Sequence, residues 1–111
     1  MSLSVQRSPF FEEDFCACYE WYLERAGQEI ADQFLDCVEQ TLEDLSQHPG
    51  LGRRRRFRHP DLKGLRSFGV APPFRVRILF YRFTDHELIV ERLIHGARDL
   101  SRRLLEAPGL D

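Results

Sequence analysis

Long apolar runs are absent from this 111-residue sequence. A helix that crosses a bilayer needs roughly 20 consecutive apolar residues, and no segment approaches that length. Residues 1–6 also lack the charged start and apolar stretch of a secretory signal. We therefore expect a cytoplasmic protein without a membrane contact. The length predicts a single domain over residues 1–111.

Cysteine is also scarce, with Cys16, Cys18 and Cys37 as the only thiols. An odd number in a chain without an export signal favours reduced thiols over a disulfide framework. Cys16 and Cys18 lack the second thiol or histidine pair of a zinc site. The sequence contains no glycine-rich phosphate loop and no nucleophile elbow. These absences predict a protein with no metal and no cofactor.

Basic residues are nearly missing from the first half of the chain. Residues 1–52 carry two basic side chains against eleven acidic ones, a net charge of −9. Residues 53–111 carry fourteen basic side chains against seven acidic ones, a net charge of +7. This polarity indicates either a basic surface for nucleic acid or an acidic protein, or two halves that neutralise one another within a fold or dimer.

The first half has the pattern of two amphipathic helices. Ser8 followed by Pro9 is typical of a helix start. Gly27 is predicted to end the first helix. The second helix is predicted to end at His48, Pro49 and Gly50, because proline cannot continue the hydrogen-bond ladder. Both helices carry an apolar stripe at helical spacing: Phe11, Phe15, Cys18 and Tyr22 in the first, and Ile30, Phe34, Val38, Leu42 and Leu45 in the second.

After a basic connection, the hydrophobic period changes from 3.6 to 2. Strands are predicted over residues 65–70, 74–83 and 88–95, after a short β-prone start at residues 3–5. The turn at residues 84–87 makes the last two strands antiparallel neighbours, and a short C-terminal helix follows Gly96. The predicted fold is α+β, with the helical hairpin packed on one face of an antiparallel sheet. Arg75, Arg77 and Tyr81 are predicted to line the other face, partly covered by the C-terminal helix or by a partner segment.

Four segments together resemble the RelE/ParE (plasmid stabilisation) toxin superfamily. They are the helical hairpin with Ala31 and Phe34, the break at residues 45–53, the segment Leu-Lys-Gly-Leu-Arg at residues 62–66, and the pair of segments at residues 78–82 and 91–100. Their order and spacing carry the resemblance, since no single segment is diagnostic. The ending His-Gly-Ala-Arg-Asp-Leu at residues 95–100 is closer to the ParE-like members.

The resemblance implies a toxin of a type II toxin–antitoxin module, neutralised by a cognate antitoxin. ParE-like members bind DNA gyrase, whereas RelE-like members cut mRNA within the ribosome. We favour the gyrase inhibitor, because Ile78 stands where ribosome-dependent relatives tend to place an arginine. The net charge of −2 also disfavours binding to ribosomal RNA, because a protein that binds RNA benefits from an excess of positive charge. A degenerate toxin that only binds antitoxin is a third hypothesis.

The nuclease alternative would use four catalytic residues. Arg66 and Arg77 would stabilise the charged phosphorane, while His95 or Tyr81 would exchange protons without a metal. Tyr81 could equally be a structural residue of the sheet, and His95 a residue of a strand end. Residues predicted to bind a protein partner are Arg53, Arg54, Arg55, Arg56, Arg75 and Arg98. An exposed apolar groove in the isolated toxin would also allow a homodimer.

Overall fold

The computed structural model describes residues 2–96 and 100–108 of the chain. Its elements are β1 (Ser4–Arg7), α1 (Pro9–Ala26), α2 (Gln28–Gln47), β2 (Arg53–Arg54), β3 (Arg66–Gly69), β4 (Arg77–Phe83), β5 (Glu87–His95) and α3 (Leu100–Leu105). Single turns of 3₁₀-helix at Pro49–Leu51 and Pro60–Leu62 lie on either side of β2. No helix within the described ranges is both long enough and apolar enough to cross a bilayer.

The helical hairpin begins and ends as the sequence predicts. The Ser8 hydroxyl accepts a hydrogen bond from the Phe11 backbone N–H at 3.0 Å, and Pro9 occupies the first turn, where a missing N–H is harmless. Gly27 alone separates the two helices, with a φ of +94° that glycine adopts without strain. The Phe15 and Phe34 rings stack across the hairpin with centroids 5.7 Å apart.

The five strands form one mixed sheet in the order β1-β5-β4-β3-β2. Strands β2 to β5 are antiparallel neighbours, which confirms the predicted pairing of β4 with β5. The N-terminal strand β1 instead lies parallel to β5, with Val5 opposite Leu88. A strand that reaches the rest of the sheet through a helical crossover can join it in parallel, because no tight hairpin dictates its direction. The α+β class and the helix-on-sheet arrangement are confirmed.

The strand predicted over residues 74–83 begins later, at Arg77. Pro72 and Pro73 precede it and cannot donate to a ladder. The chain turns after them, with hydrogen bonds from the Phe74 N–H to the Ala71 carbonyl and from the Arg77 N–H to the Phe74 carbonyl. Arg75 therefore lies exposed in a turn and does not line a sheet face.

The predicted assignment of the two sheet faces is wrong. Leu79 and Tyr81 lie in the core beneath the helical hairpin, together with Phe11 and Phe34. Phe80 lies on the opposite face, in a second cluster that includes Leu104 of α3. Tyr81 is therefore fully buried on the hairpin side. Alternation alone could not decide which set of residues meets the helices, because large apolar side chains occupy both sets of β4.

Candidate functional site

The four candidate catalytic residues fall into two separate pairs. Arg66 of β3 lies opposite Tyr81 of β4, and Arg77 of β4 lies opposite His95 of β5. Tyr81 lies four positions after Arg77 in β4, which corresponds to about 13 Å along a strand. The structure therefore brings each pair together but does not bring the two pairs to one point.

The Tyr81 hydroxyl is engaged on both sides. It donates to the Pro49 carbonyl at 2.6 Å and accepts from the Gly52 N–H at 2.9 Å. Burial raises the pKa of Tyr81, although the Gly52 N–H and the charge of Arg66 partly oppose this shift. The hydroxyl thus stays protonated near neutral pH and fixes the loop after α2, which favours a structural role.

Arg66 stabilises the same loop. One of its terminal nitrogens donates to the Gly52 carbonyl at 2.9 Å. Its guanidinium also lies 5.4 Å from the centroid of the Phe83 ring. Arg66 and Tyr81 together therefore satisfy both backbone polar groups of Gly52, one donor and one acceptor.

Replacing Tyr81 by phenylalanine should lower the free energy of unfolding by about 1–3 kcal/mol, because the Gly52 N–H and the Pro49 carbonyl lose a buried partner. The folded-state pKa of Tyr81 is raised above the unfolded value of about 10. Its contribution is therefore complete below about pH 10 and is lost as the pH rises through the folded-state pKa. Urea unfolding between neutral and alkaline pH should show a steeper alkaline loss in the wild type than in Tyr81→Phe. Equal slopes would contradict this assignment.

Arg77 and His95 line a cavity of about 560 Å³ at the end of β5. The Arg77 Nε donates to the Tyr22 hydroxyl at 3.3 Å. The guanidinium lies 5.3 Å from the ring centroids of both Trp21 and Tyr22. His95 is exposed at the strand end. Side chains of α1 and α3, together with Glu106, form the remaining walls.

The arginine cluster at residues 53–56 contains a strand that the sequence did not predict. Arg53 and Arg54 form β2 at the edge of the sheet, opposite Ser67 and Arg66. The Arg55 Nε donates to the Ser67 hydroxyl at 2.7 Å, and burial, followed by the charge of Arg53, lowers the pKa of Arg55. The other three arginines of the cluster are exposed. Arg98 lies outside the described residues.

Sequence reasoning missed a buried ion pair between Asp14 and Arg92. The Asp14 Oδ2 accepts from the Arg92 Nε at 2.7 Å and from the Leu93 N–H at 3.0 Å. One Arg92 terminal nitrogen donates to the Leu104 and Glu106 carbonyls at the end of α3. A signal was present, because Asp14 interrupts the apolar stripe of α1 between Phe11 and Cys18. The pair joins α1, β5 and α3.

The comparison with known proteins agrees with this fold. A sequence model of the ParE toxins of type II toxin–antitoxin systems (parDE) matches residues 5–100. The chain belongs to the ParE toxin family. The match spans β1 to the start of α3 and confirms the resemblance found in the sequence. No curated protein matches the chain at a significant level.

A solved structure of the chromosomal ParDE toxin–antitoxin system from P. aeruginosa has a similar fold. The TM-score is 0.69 at 19% sequence identity, covering 86% of this chain and 98% of that one. At 19% identity, this likeness shows a shared fold alone. Within residues 2–96 and 100–108, no three His, Cys, Asp or Glu side chains are grouped so that they could bind a metal ion.

Proposed function

We propose that this ParE-family toxin inhibits DNA gyrase and that a cognate antitoxin neutralises it. The observation that supports this function is the division of the four candidate catalytic residues into two pairs. A metal-independent ribonuclease needs a base, a proton donor and cations around one phosphate. An inhibitor that acts by binding needs no such arrangement.

The ribosome-dependent nuclease has weaker support. Tyr81 is buried with its hydroxyl engaged, and Arg66 donates to the Gly52 carbonyl. Of the four predicted residues, Arg77 and His95 face a common cavity, which places one titratable group near one cation. Efficient RNA cleavage requires groups that act on both the attacking and the leaving oxygen. A degenerate toxin that only binds antitoxin would have the same fold as the gyrase inhibitor, so only an activity assay distinguishes the two hypotheses.

The basic edge of the sheet is the antitoxin surface that we favour. β2 is the last strand in the sheet order, so its outer side can accept a strand from a partner. Arg53, Arg54 and Arg56 are exposed there, and an acidic antitoxin segment would complement their charge. Binding roles for Arg75 and Arg98, a homodimer and a cytoplasmic location stay predictions.

Two assays on the purified, antitoxin-free protein test this function. We expect the toxin to abolish supercoiling of relaxed plasmid by gyrase, while mRNA on translating ribosomes remains intact. Cut mRNA with normal supercoiling would instead identify the nuclease. Inactivity in both assays, together with normal growth of the natural host after induction, would identify the degenerate toxin.

The cognate antitoxin provides the control for this experiment, because its addition should restore supercoiling. Arg54→Gln should raise the amount of antitoxin required about threefold, as expected for the loss of one exposed charge from an interface. Lys63→Gln removes the same charge from another exposed position and should change nothing. Equal effects of the two substitutions would place the antitoxin away from β2.

A further inference from the structure

Two aromatic side chains of α1 hold Arg77 in a fixed position. The Trp21 and Tyr22 rings each lie 5.3 Å from its guanidinium, and its Nε donates to the Tyr22 hydroxyl. Within residues 2–96 and 100–108, the ion pairs of the protein do not include Arg77. Toward the residues in those two ranges, the terminal nitrogens of Arg77 thus keep donors for a ligand, and little side-chain entropy remains to be lost on binding.

His95 faces the same space from the neighbouring strand. It lies directly opposite Arg77, and directly opposed residues project from the same face of a sheet. Its side chain is exposed and makes no hydrogen bond to any residue in the described ranges. The two side chains can therefore donate to one bound molecule.

Further cations surround the cavity. Arg102 and Arg103 of α3 line it, and Glu106, the one carboxylate among the described lining residues, lies 3.4 Å from Arg102 in an ion pair. Arg25 lies 5.0 Å from the Trp21 ring centroid. Among the described residues that line the cavity, three arginines thus stand against one carboxylate.

We propose that this cavity binds a phosphate group. A tetrahedral phosphate presents oxygens in several directions, so that donors from β4, β5 and α3 can share it, whereas a carboxylate presents two oxygens in one plane. The cavity of about 560 Å³ is larger than a phosphate and leaves room for the molecule that carries it. The carrier is a free phosphate compound or a strand of nucleic acid. The site goes beyond gyrase inhibition and is tested without gyrase.

Trp21 lines the cavity and is the only tryptophan of the chain, so its fluorescence reports occupancy. The full-length protein is titrated with pyrophosphate and with a short single-stranded DNA at constant ionic strength. DNA lacks the 2′-hydroxyl, which keeps binding separate from RNA cleavage. We expect a saturable fluorescence change, with a matching binding isotherm in calorimetry.

Arg77→Gln should weaken this binding at least about tenfold, because charge-assisted hydrogen bonds to the phosphate are lost. Lys63→Gln removes the same charge from an exposed position outside the cavity, and its affinity should stay within about twofold of the wild type. Arg102 is 70% exposed, so Arg102→Gln tests the same site without a risk to folding. It should weaken binding about threefold.

Comparing pyrophosphate with single-stranded DNA distinguishes a site for free phosphate compounds from a site for a nucleic-acid strand. Saturable binding of both, each sensitive to Arg77, supports a site for free phosphate compounds. Binding of DNA alone with the same sensitivity supports a site for a nucleic-acid strand. The proposal is overturned if neither ligand gives a signal beyond that of sodium chloride, or if Arg77→Gln and Lys63→Gln weaken binding equally.

Discussion

Replacing Asp14 by asparagine should lower the free energy of unfolding by about 3–5 kcal/mol, the usual result of removing one partner of a buried ion pair. Asp14 is 8% exposed and Arg92 is 6% exposed. After the substitution, water therefore cannot solvate the guanidinium of Arg92, which stays charged. The substitution also turns an amide donor toward the Arg92 guanidinium or the Leu93 N–H, both of which require an acceptor. Urea denaturation gives the loss directly.

Glu13→Gln is the matched control for Asp14→Asn, because it makes the same charge change at the neighbouring, exposed position of α1. It should alter stability by less than about 0.5 kcal/mol. The double variant Asp14→Asn with Arg92→Met should be more stable than the sum of the two single losses predicts. If Asp14→Asn costs no more than Glu13→Gln, the ion pair does not stabilise the folded protein.

The same substitution should loosen α3 before it loosens the sheet. Arg92 donates to carbonyls at the C-terminal end of α3 and fixes that end against β5. α3 is only six residues long, and a helix of that length is not stable without tertiary contacts. Hydrogen exchange in Asp14→Asn should therefore accelerate in residues 100–105 while β4 and β5 remain protected.

Local sequence signals were sufficient to predict the bounds of the helices, because a capping or helix-ending residue acts on the residues beside it. Ser8, Pro9 and Gly27 determine backbone hydrogen bonds within one turn of their own position, and the observed helix bounds agree with them. The faces of β4 were not predictable in this way. Leu79 and Phe80 are both fully buried, because α3 covers the face that the hairpin leaves open. A strand with both faces covered loses the alternation that identifies its inner side.

The pairing of Arg77 with His95 depends on a bulge in β5 that no sequence pattern predicts. Pairing that starts with Phe83 opposite Leu88 would, if continued evenly, place Arg77 opposite Ile94. The register shifts between Tyr81 and Phe80, where Glu91 is the additional residue on β5, and His95 becomes the partner of Arg77. Glu91 forms an ion pair with Arg82, and its carbonyl accepts from the Ser8 hydroxyl at 2.7 Å. Ser8 lies 83 residues before Glu91 in the sequence. The bulge, and with it the pairing of Arg77 and His95, therefore could not be derived from local sequence.

Gly52→Ala should destabilise the protein by about 3 kcal/mol or more, since it combines overpacking with the loss of buried hydrogen bonds. A Cβ at this position would lie 2.7 Å from the Tyr81 Cε1 and 2.8 Å from the Cζ, and closer still to the hydroxyl. The φ of Gly52 is −70°, which any residue adopts, so the cost comes from contact and not from the backbone. Tyr81 is fully buried beneath the helical hairpin and cannot move aside without disturbing the core.

Gly50→Ala is the matched control for Gly52→Ala. It lies two residues away in the same loop, and a Cβ there would meet nothing within 4 Å. Its stability should stay within about 0.5 kcal/mol of the wild type, because the new methyl group points into open space. Combining Gly52→Ala with Tyr81→Leu should cost less than the sum of the single losses, since the shorter side chain removes the clash. Additive losses, or equal effects at positions 50 and 52, would show that the Tyr81 hydroxyl does not determine the structure of this loop. Because the Arg66 side chain donates to the Gly52 carbonyl, a displaced loop would also break that hydrogen bond.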